Sequence, residues 1–323
     1  NIARGFMFPA DNRLRGTPID SARIEQRARW ETVVEATQVK GDSETDPALS
    51  PDDSFADFEA FPYYLKPSAP AYKPEAGDFV RSALRNGLAI EQRLGANPYR
   101  FGLIGSTDSH TGLATAEEPN FWGKMATDSV PEDNANNAGH IEKLGWTLSA
   151  SGLAAVWAED NTRQGIIDAF RRREVYATTG PRIRLRVYGG DFVPGDEQTT
   201  SIADASTHGV PMGGEMRHRA TAPAFLIHAA KDPKSAHLDR VQVVKGWFEN
   251  GNTFEHVYDV AWSGNREPGS DGQLPEVTDT VDPDTGSYTN DYGAATLSTV
   301  WTDPDFNAAQ PAFYYVRVLE VPT

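Results

Sequence analysis

The sequence predicts an α/β part over residues 1–180, followed by an all-β antiparallel sandwich over residues 181–323. In the first part, apolar residues at helical spacing alternate with short apolar runs, a pattern typical of α/β folds. From Pro181 onward, short runs with period-two alternation are separated by Gly, Pro, Asn and Asp, without a helical pattern. Of the 323 residues, 39% are hydrophobic, which suffices for a large core, expected in two domains.

Local patterns place the first elements in order. The charged segment 24–30 leads into a β-branched run at 33–37, which predicts a parallel strand. Apolar residues recur every three or four positions over 79–94 and predict a helix, with Asp78 as its N-cap and Gly95 as its left-handed end. The apolar run at 99–104 then predicts a buried strand that enters a polar loop.

A second helix and its strand complete the first part. The helix is expected to begin at Asn161 or Thr162 and to bury Ile166, Ile167 and Phe170. The following run at 174–178 predicts a strand. Two long segments, 41–75 and 113–150, lack periodicity and are predicted to be functional loops.

The second part is predicted to consist of strands. Arginines alternate with Ile183, Leu185 and Val187, as in a half-buried strand. Further strands are expected at four apolar runs: 224–229, 241–247, 256–262 and 313–321.

Charge and composition exclude several classes of protein. A formal charge of −16 repels phosphate backbones, so nucleic acid is not an expected partner. No apolar run approaches the roughly 20 residues that cross a bilayer, so no membrane span is predicted. The chain has no cysteine, which excludes disulfides and thiolate zinc sites. Together with the acidity, this favours a periplasmic or extracellular location, although a cytoplasmic one stays open.

The sharpest chemical feature is the triplet Asp108-Ser109-His110. A carboxylate and an imidazole two residues apart can ligate one or two divalent metals, and the triplet directly follows an apolar strand, where parallel α/β folds place their sites. The alternative is a strand-end turn with a surface histidine. Because a catalytic metal needs three or more protein ligands, other groups must contribute.

Carboxylates and arginines supply the remaining candidates. Glu35 ends its strand, and it is either a catalytic carboxylate or a solvated strand residue. Asp42 and Glu44 are either substrate-binding groups or a cap or turn. Arg4 and Arg182 could hold an anionic substrate oxygen, although Arg182 could equally be the first outward residue of the sandwich.

Five segments resemble, in order, motifs of one bacterial family. They are NIARGFMF (1–8), VEATQVKGDSE (34–44), FADFE (55–59), GSTDSHTG (105–112) and REVYATTGPRI (173–183). The family is the domain-of-unknown-function family 3604, which is similar to the polymerase and histidinol phosphatase (PHP) metal-dependent phosphoesterases. The resemblance covers most of residues 1–190 and is looser beyond them.

The resemblance implies a distorted (β/α) barrel with two or three divalent metals (Zn, Mn or Fe) at the carboxyl ends of its strands. It implies that Asp108 and His110 are metal ligands and places Glu35, Asp42 and Glu44 within a motif, without individual roles. The H-x-H motif of the family has no counterpart here. A (β/α) barrel needs about 250 residues, so the chain is expected to be the C-terminal part of a barrel whose N-terminal half carries the remaining ligands.

These observations predict a metal-dependent hydrolase, most plausibly a phosphoesterase that uses a metal-activated water on a small-molecule ester. One alternative is a secreted binding or structural protein whose sandwich recognises a partner. Another is a hydrolase of a different ester or of an amide, which differs only in substrate.

Overall fold

The computed structural model describes these residues: 5–12, 16–61, 63–64, 71–110, 137–138, 141–142, 148–149, 152–216, 220–270 and 272–323. They form two compact units. Unit 1 comprises Asn1–Gly180 and Trp247–Phe254, and unit 2 comprises Pro181–Gly246 and Glu255–Thr323. Within the described ranges, no helix has the length and apolar character needed to cross a membrane.

The described residues of unit 1 include three α-helices and seven strands. The helices are α1 (Ser21–Trp30), α2 (Val80–Leu94) and α3 (Arg163–Arg172), with a 3₁₀ turn at Ala76–Asp78. The strands are β1 (Val33–Gln38), β2 (Gly41–Asp42), β3 (Gly102–Gly105), β4 (Asn137–Ala138), β5 (Ile141–Glu142), β6 (Leu153–Val156) and β7 (Val175–Thr178).

The sheet of unit 1 has the order β2-β1-β3. β1 and β3 are parallel, as the sequence predicts, with Val33 opposite Gly102 and Glu35 opposite Ile104. β2 is antiparallel to β1 and occupies its other edge. The pair β6-β7 is also antiparallel, and the backbone of Gly105 lies against both of its strands.

The predicted (β/α) barrel is not seen in the part of the chain that the structure describes. A barrel of this type needs a closed ring of parallel strands. Here only β1 and β3 pair in parallel, and the described strands form no closed barrel. The observed architecture is that of a mixed α/β protein, rich in β-structure, with antiparallel sheets.

Helices α2 and α3 agree with their predicted positions, with local corrections, whereas α1 covers a segment that was predicted only as charged. Gly95 adopts the left-handed conformation after α2, and Thr162 caps α3 by accepting a hydrogen bond from Gly165 N at 3.1 Å. The N-cap of α2 is Phe79 and not Asp78, which lies in the 3₁₀ turn. In α3, Ala169 is buried whereas Ile167 is exposed, so the predicted apolar face is shifted.

Among the described residues, unit 2 contains two short helices and the remaining strands, except that the segment Trp247–Phe254, which includes the adjoining ends of β11 and β12, belongs to unit 1. The helices, which the sequence does not predict, are α4 (Asp196–Thr199) and α5 (Ile202–His208). The strands are β8 (Arg184–Gly190), β9 (Val210–Pro211), β10 (Ala224–Ala230), β11 (Leu238–Glu249), β12 (Asn252–Trp262), β13 (Thr296–Thr302) and β14 (Ala312–Glu320).

Two sheets build unit 2, with the orders β13-β10-β8-β9 and β12-β11-β14. Every pairing in the first sheet is antiparallel, which confirms the prediction of antiparallel structure. Aromatic side chains join the sheets: the ring of Phe225 on β10 lies 4.8 Å from that of Tyr314 on β14, and Trp301 on β13 lies 5.0 Å from Tyr258 on β12. Such contacts add to the stabilisation from apolar burial.

Glu320, the last residue of β14, carries a half-buried carboxyl group. Ser235 Oγ donates to Glu320 Oε2 at 2.9 Å, whereas Glu320 Oε1 is buried and accepts no hydrogen bond. Burial, and secondarily the nearby charge of Asp232, raises the pKa of Glu320 to about 7. The native state therefore holds this proton more tightly than the unfolded chain does.

Stability should consequently depend on pH through Glu320. The contribution of this carboxyl group is fully present below its ordinary pKa and is lost as pH rises through about 7. We expect Glu320→Gln to be more stable than the parent at pH 8 by about 1–2 kcal/mol after allowance for solvent screening, and nearly equal at pH 5. Urea unfolding at both pH values measures this, with the exposed Glu276→Gln as control. If the stability difference between Glu320→Gln and the parent is the same at both pH values, the raised pKa of Glu320 is wrong.

Candidate functional site

The carboxyl ends of β1 and β3 lie at one edge of the unit 1 sheet, because the two strands are parallel. The loops that follow them are joined by backbone hydrogen bonds. Ser106 N donates to Thr37 O at 3.0 Å, and Val39 N donates to Thr107 O at 3.3 Å. The loop carrying the D-x-H triplet is thus held against the turn that follows β1. This edge is where parallel α/β sheets place ligands.

Asp108 lies at the centre of this edge and has an unusual backbone. Its φ of 52° is in the left-handed region, which is uncommon for a residue other than glycine. Its Oδ2 forms an ion pair with Nζ of Lys40. The side chain of Lys40 is only 5% exposed and that of Asp108 is 29% exposed. A buried ammonium needs an anionic partner, and Asp108 provides it.

His110 is exposed and folds back on the same loop. Its Nδ1 lies 2.9 Å from the carbonyl oxygen of Asp108. Because a carbonyl oxygen can only accept, this contact favours the tautomer with the proton on Nδ1, and Nε2 then carries the lone pair. Ser109 N donates to Thr107 Oγ1 at 3.2 Å, which further fixes the loop. The imidazole therefore has a defined orientation and a nitrogen with metal-binding character.

Glu35 is connected to the same loop through Ser106, whose hydroxyl donates to Glu35 Oε1. Glu35 is exposed on β1, opposite Ile104 of β3. The hydrogen bond joins its carboxylate to the residue that begins the segment Ser106 to His110. The structure thus connects Glu35 through Ser106 to the strand-end loop that carries Asp108 and His110.

Asp42 and Glu44 are held differently. Asp42 Oδ1 accepts from Glu44 N at 2.9 Å, which makes a tight turn. The carboxylate of Glu44 pairs with Arg81 of α2, which also binds Asp53 Oδ2 at 2.7 Å. Arg81 is completely buried. The structure thus gives Glu44 a partner in the core, and its predicted contact with substrate stays a prediction.

The two arginine candidates are not brought to this edge by any described contact. Arg4 lies outside the described residues. Arg182 belongs to unit 2, where its backbone N donates to Asp232 Oδ2 at 2.7 Å. Burial alone would raise the pKa of Asp232, yet hydrogen bonds from the backbone amides of Lys234 and Arg182 hold it below its ordinary value. The carboxylate of Asp232 therefore anchors the first residues of unit 2.

Three side chains that contact the candidate residues were not singled out by the sequence analysis: Lys40, Ser106 and Arg81. Lys40 and Ser106 lie inside the family motifs quoted above, and each follows a strand of the parallel pair directly. Polarity at a strand end is the signal that could have indicated them. Arg81 offered no such signal, because it lies in the first turn of a helix, where a buried cation is unusual.

The donor set at this edge is incomplete within the described ranges. Nowhere in the part of the chain that the structure describes do three or more acidic or histidine side chains gather as a metal-binding group. Asp108 and His110 supply one carboxylate and one imidazole. The Asp108 carboxylate is engaged in its ion pair with Lys40, and the two side chains are fewer than the three protein ligands that a catalytic metal requires.

Comparison with known proteins gives one family and no named relative. Neither the curated proteins nor the solved structures include one similar enough to be matched. A family model, described as a protein of unknown function (DUF3604), matches residues 1–323. Because this match spans the whole sequence, the chain belongs to the DUF3604 family.

Proposed function

We propose that this chain carries part of the active site of a metal-dependent hydrolase that cleaves phosphoesters. The observation that supports the proposal best is the loop of Asp108 and His110. It follows β3 directly, at the carboxyl end of the parallel strands. The backbone of Asp108 is in the left-handed region, and its carboxylate pairs with the ammonium of Lys40. Strained residues of this kind cluster at functional sites. A PHP-like barrel is part of the proposal.

The chemistry of the donors fits a divalent metal in part. A carboxylate oxygen and an imidazole nitrogen suit Zn, Mn or Fe, and the carboxylate of Asp108 already binds a cation, the ammonium of Lys40. Two ligands are fewer than a catalytic metal requires. The proposal therefore requires at least one further ligand besides Asp108 and His110.

Each side chain has a role in this account. Asp108 and His110 would hold the metal, which when bound lowers the pKa of a water and offsets negative charge on the substrate. Glu35, whose carboxylate accepts a hydrogen bond from the Ser106 hydroxyl, would accept a proton. The pair of Arg81 with Glu44 fixes the turn beside Asp42. Arg4 and Arg182 stay predictions as anion-binding groups.

The proposal also includes a substrate class and a cellular location. The charge of −16 does not attract anions, so a phosphoester would be drawn in by local cations and not by the field of the whole protein. Another ester or an amide could react at the same metals. An exported location is proposed from the lack of cysteine and the acidic composition.

Metal content of the protein expressed from its complete reading frame tests the proposal. We expect Asp108→Asn and His110→Ala to lower the affinity for Zn²⁺ or Mn²⁺ by at least about tenfold and to abolish hydrolysis of generic phosphoesters. His208→Ala is the matched control, because His208 is also exposed with Nδ1 2.8 Å from a backbone carbonyl. Metal content that is the same in all four proteins, without hydrolysis, contradicts the proposal and favours a binding role.

A further inference from the structure

A cleft of about 350 Å³ opens in unit 1 beside helix α1. Its lining residues come from three stretches of the chain, 6–9, 19–31 and 98–99. A water molecule takes roughly 30 Å³ in the liquid, so the cleft has room for about ten to twelve non-hydrogen atoms. This volume lies within the range that is typical of small-molecule sites. The cleft is therefore large enough for a small organic molecule.

The wall formed by residues 6–9 is fixed in place. Phe8 anchors it, because its side chain is only 5% exposed and belongs to the core of unit 1. Arg27 NH1 donates to Met7 O at 3.2 Å, and the Tyr99 hydroxyl donates to Pro9 O at 2.8 Å. A wall that is already ordered does not have to lose entropy when a ligand binds, which favours affinity.

Two side chains of this wall leave apolar surface in contact with water. Phe6 is 44% exposed and Met7 is 48% exposed, and both line the cleft. The lining also includes Ile19 and Ile24 of the second stretch. Removal of such surface from water is favourable, so an apolar body is the part of a ligand that these side chains would bind.

The charges in the cleft are unequal. Glu31 Oε2 accepts from Nε and NH2 of Arg27 at 2.7 and 2.6 Å, so these two charges balance. Arg23 lies four residues before Arg27 on the same face of α1 and forms no ion pair within the described part of the chain. Its NH1 donates to the neutral Gln26 Oε1 at 2.7 Å. The lining thus carries one unbalanced positive charge, on a protein whose formal charge is −16.

We propose that this cleft binds a small organic carboxylate with an apolar body, in which Arg23 holds the carboxylate and Phe6 and Met7 contact the apolar part. A guanidinium can donate to both oxygens of a carboxylate, which is stronger than its single hydrogen bond to Gln26. Because the field of the whole protein repels anions, recognition requires the local cation and the apolar contacts together. The inference goes beyond the proposed hydrolase and does not depend on it, since it uses no residue of the Asp108 loop.

Phenylacetate, which joins an aromatic ring to a carboxylate and suits the cleft in size, is the probe. Isothermal titration calorimetry with the complete protein should show one site with a Kd of about 1 mM or lower. Arg23→Gln should weaken binding about fivefold or more, whereas Arg23→Lys should retain most of it. Arg29→Gln is the matched control, because Arg29 lies on the same helix, above the ring of Trp30 at 5.2 Å, and does not line the cleft.

The neutral phenylacetamide separates the contribution of the charge from that of the ring. It should bind more weakly than phenylacetate and equally to the parent and to Arg23→Gln, whereas Phe6→Ser should weaken both probes. Asp108→Asn should bind phenylacetate as the parent does. Absence of phenylacetate binding, unchanged binding in Arg23→Gln, or an equal loss in Arg29→Gln would each overturn the proposal.

Discussion

Replacing Arg81 by methionine is expected to lower the free energy of unfolding by about 3–5 kcal/mol, because it removes a buried cation that bridges two carboxylates. Arg81 is fully buried, and its guanidinium bridges Glu44 and Asp53. Methionine fills much of the same space, so the loss should come from charge and not from a cavity. Equilibrium unfolding in urea measures it.

Two further variants make this prediction specific. Arg93→Met, near the end of the same helix, removes an ion pair with Asp11 that is exposed to solvent, and should cost less than about 1 kcal/mol. Adding Glu44→Gln and Asp53→Asn to Arg81→Met removes the two carboxylate charges. This triple variant should recover part of the free energy of unfolding that Arg81→Met loses. An Arg81→Met protein that is as stable as Arg93→Met would contradict the buried ion-pair network.

Gly105→Ala is expected to cost about 3 kcal/mol or more and to weaken metal binding at the same time. A Cβ at this position would lie 2.6 Å from Thr178 O and 2.7 Å from Leu153 O. Both atoms are backbone, so β3 would have to move away from β6 and β7. Ser106 and Asp108 follow directly, and their hydrogen bonds would shift with the strand.

Gly102→Ala, on the same strand, is the matched control. There the added Cβ would meet mainly the Val175 side chain, at 2.6 Å, and a methyl group can turn aside at lower cost. Urea unfolding and metal titration of both variants should show a larger loss for Gly105→Ala in each measurement. Equal losses would mean that the close backbone approach at Gly105 has no special importance.

Local patterns predicted α2 and α3 well, since each is specified by residues close in sequence, whereas α1 was recognised only as a charged segment before β1. Gly95 ends α2 in a left-handed conformation and Thr162 caps α3, both as expected. Strand β13 was missed because Thr296–Thr302 carries mainly polar and β-branched residues, and its pairing with β10 depends on a distant partner. α4 and α5 were missed because they are short and lie between strands.

The candidate site was predicted only as far as single motifs allow. The D-x-H triplet was found because it follows an apolar run, whereas Glu35, expected at the end of its strand, lies in the middle of β1 because the strand continues to Gln38. The partners that define their chemistry lie far away in sequence: Lys40 and Asp108 are 68 residues apart, and Arg81 and Glu44 are 37 apart. Burial of a lysine or an arginine follows from tertiary packing, so spacing alone could not reveal either pair.

The most direct test of the central claim is the location of a bound metal. Crystals of the protein expressed from its complete reading frame, grown with Zn²⁺, should show an anomalous difference peak about 2.0–2.2 Å from a carboxylate oxygen of Asp108 and from Nε2 of His110, with the Lys40 ammonium displaced. Zinc bound elsewhere, with Lys40 still paired to Asp108, would contradict the claim that this strand edge is a metal centre.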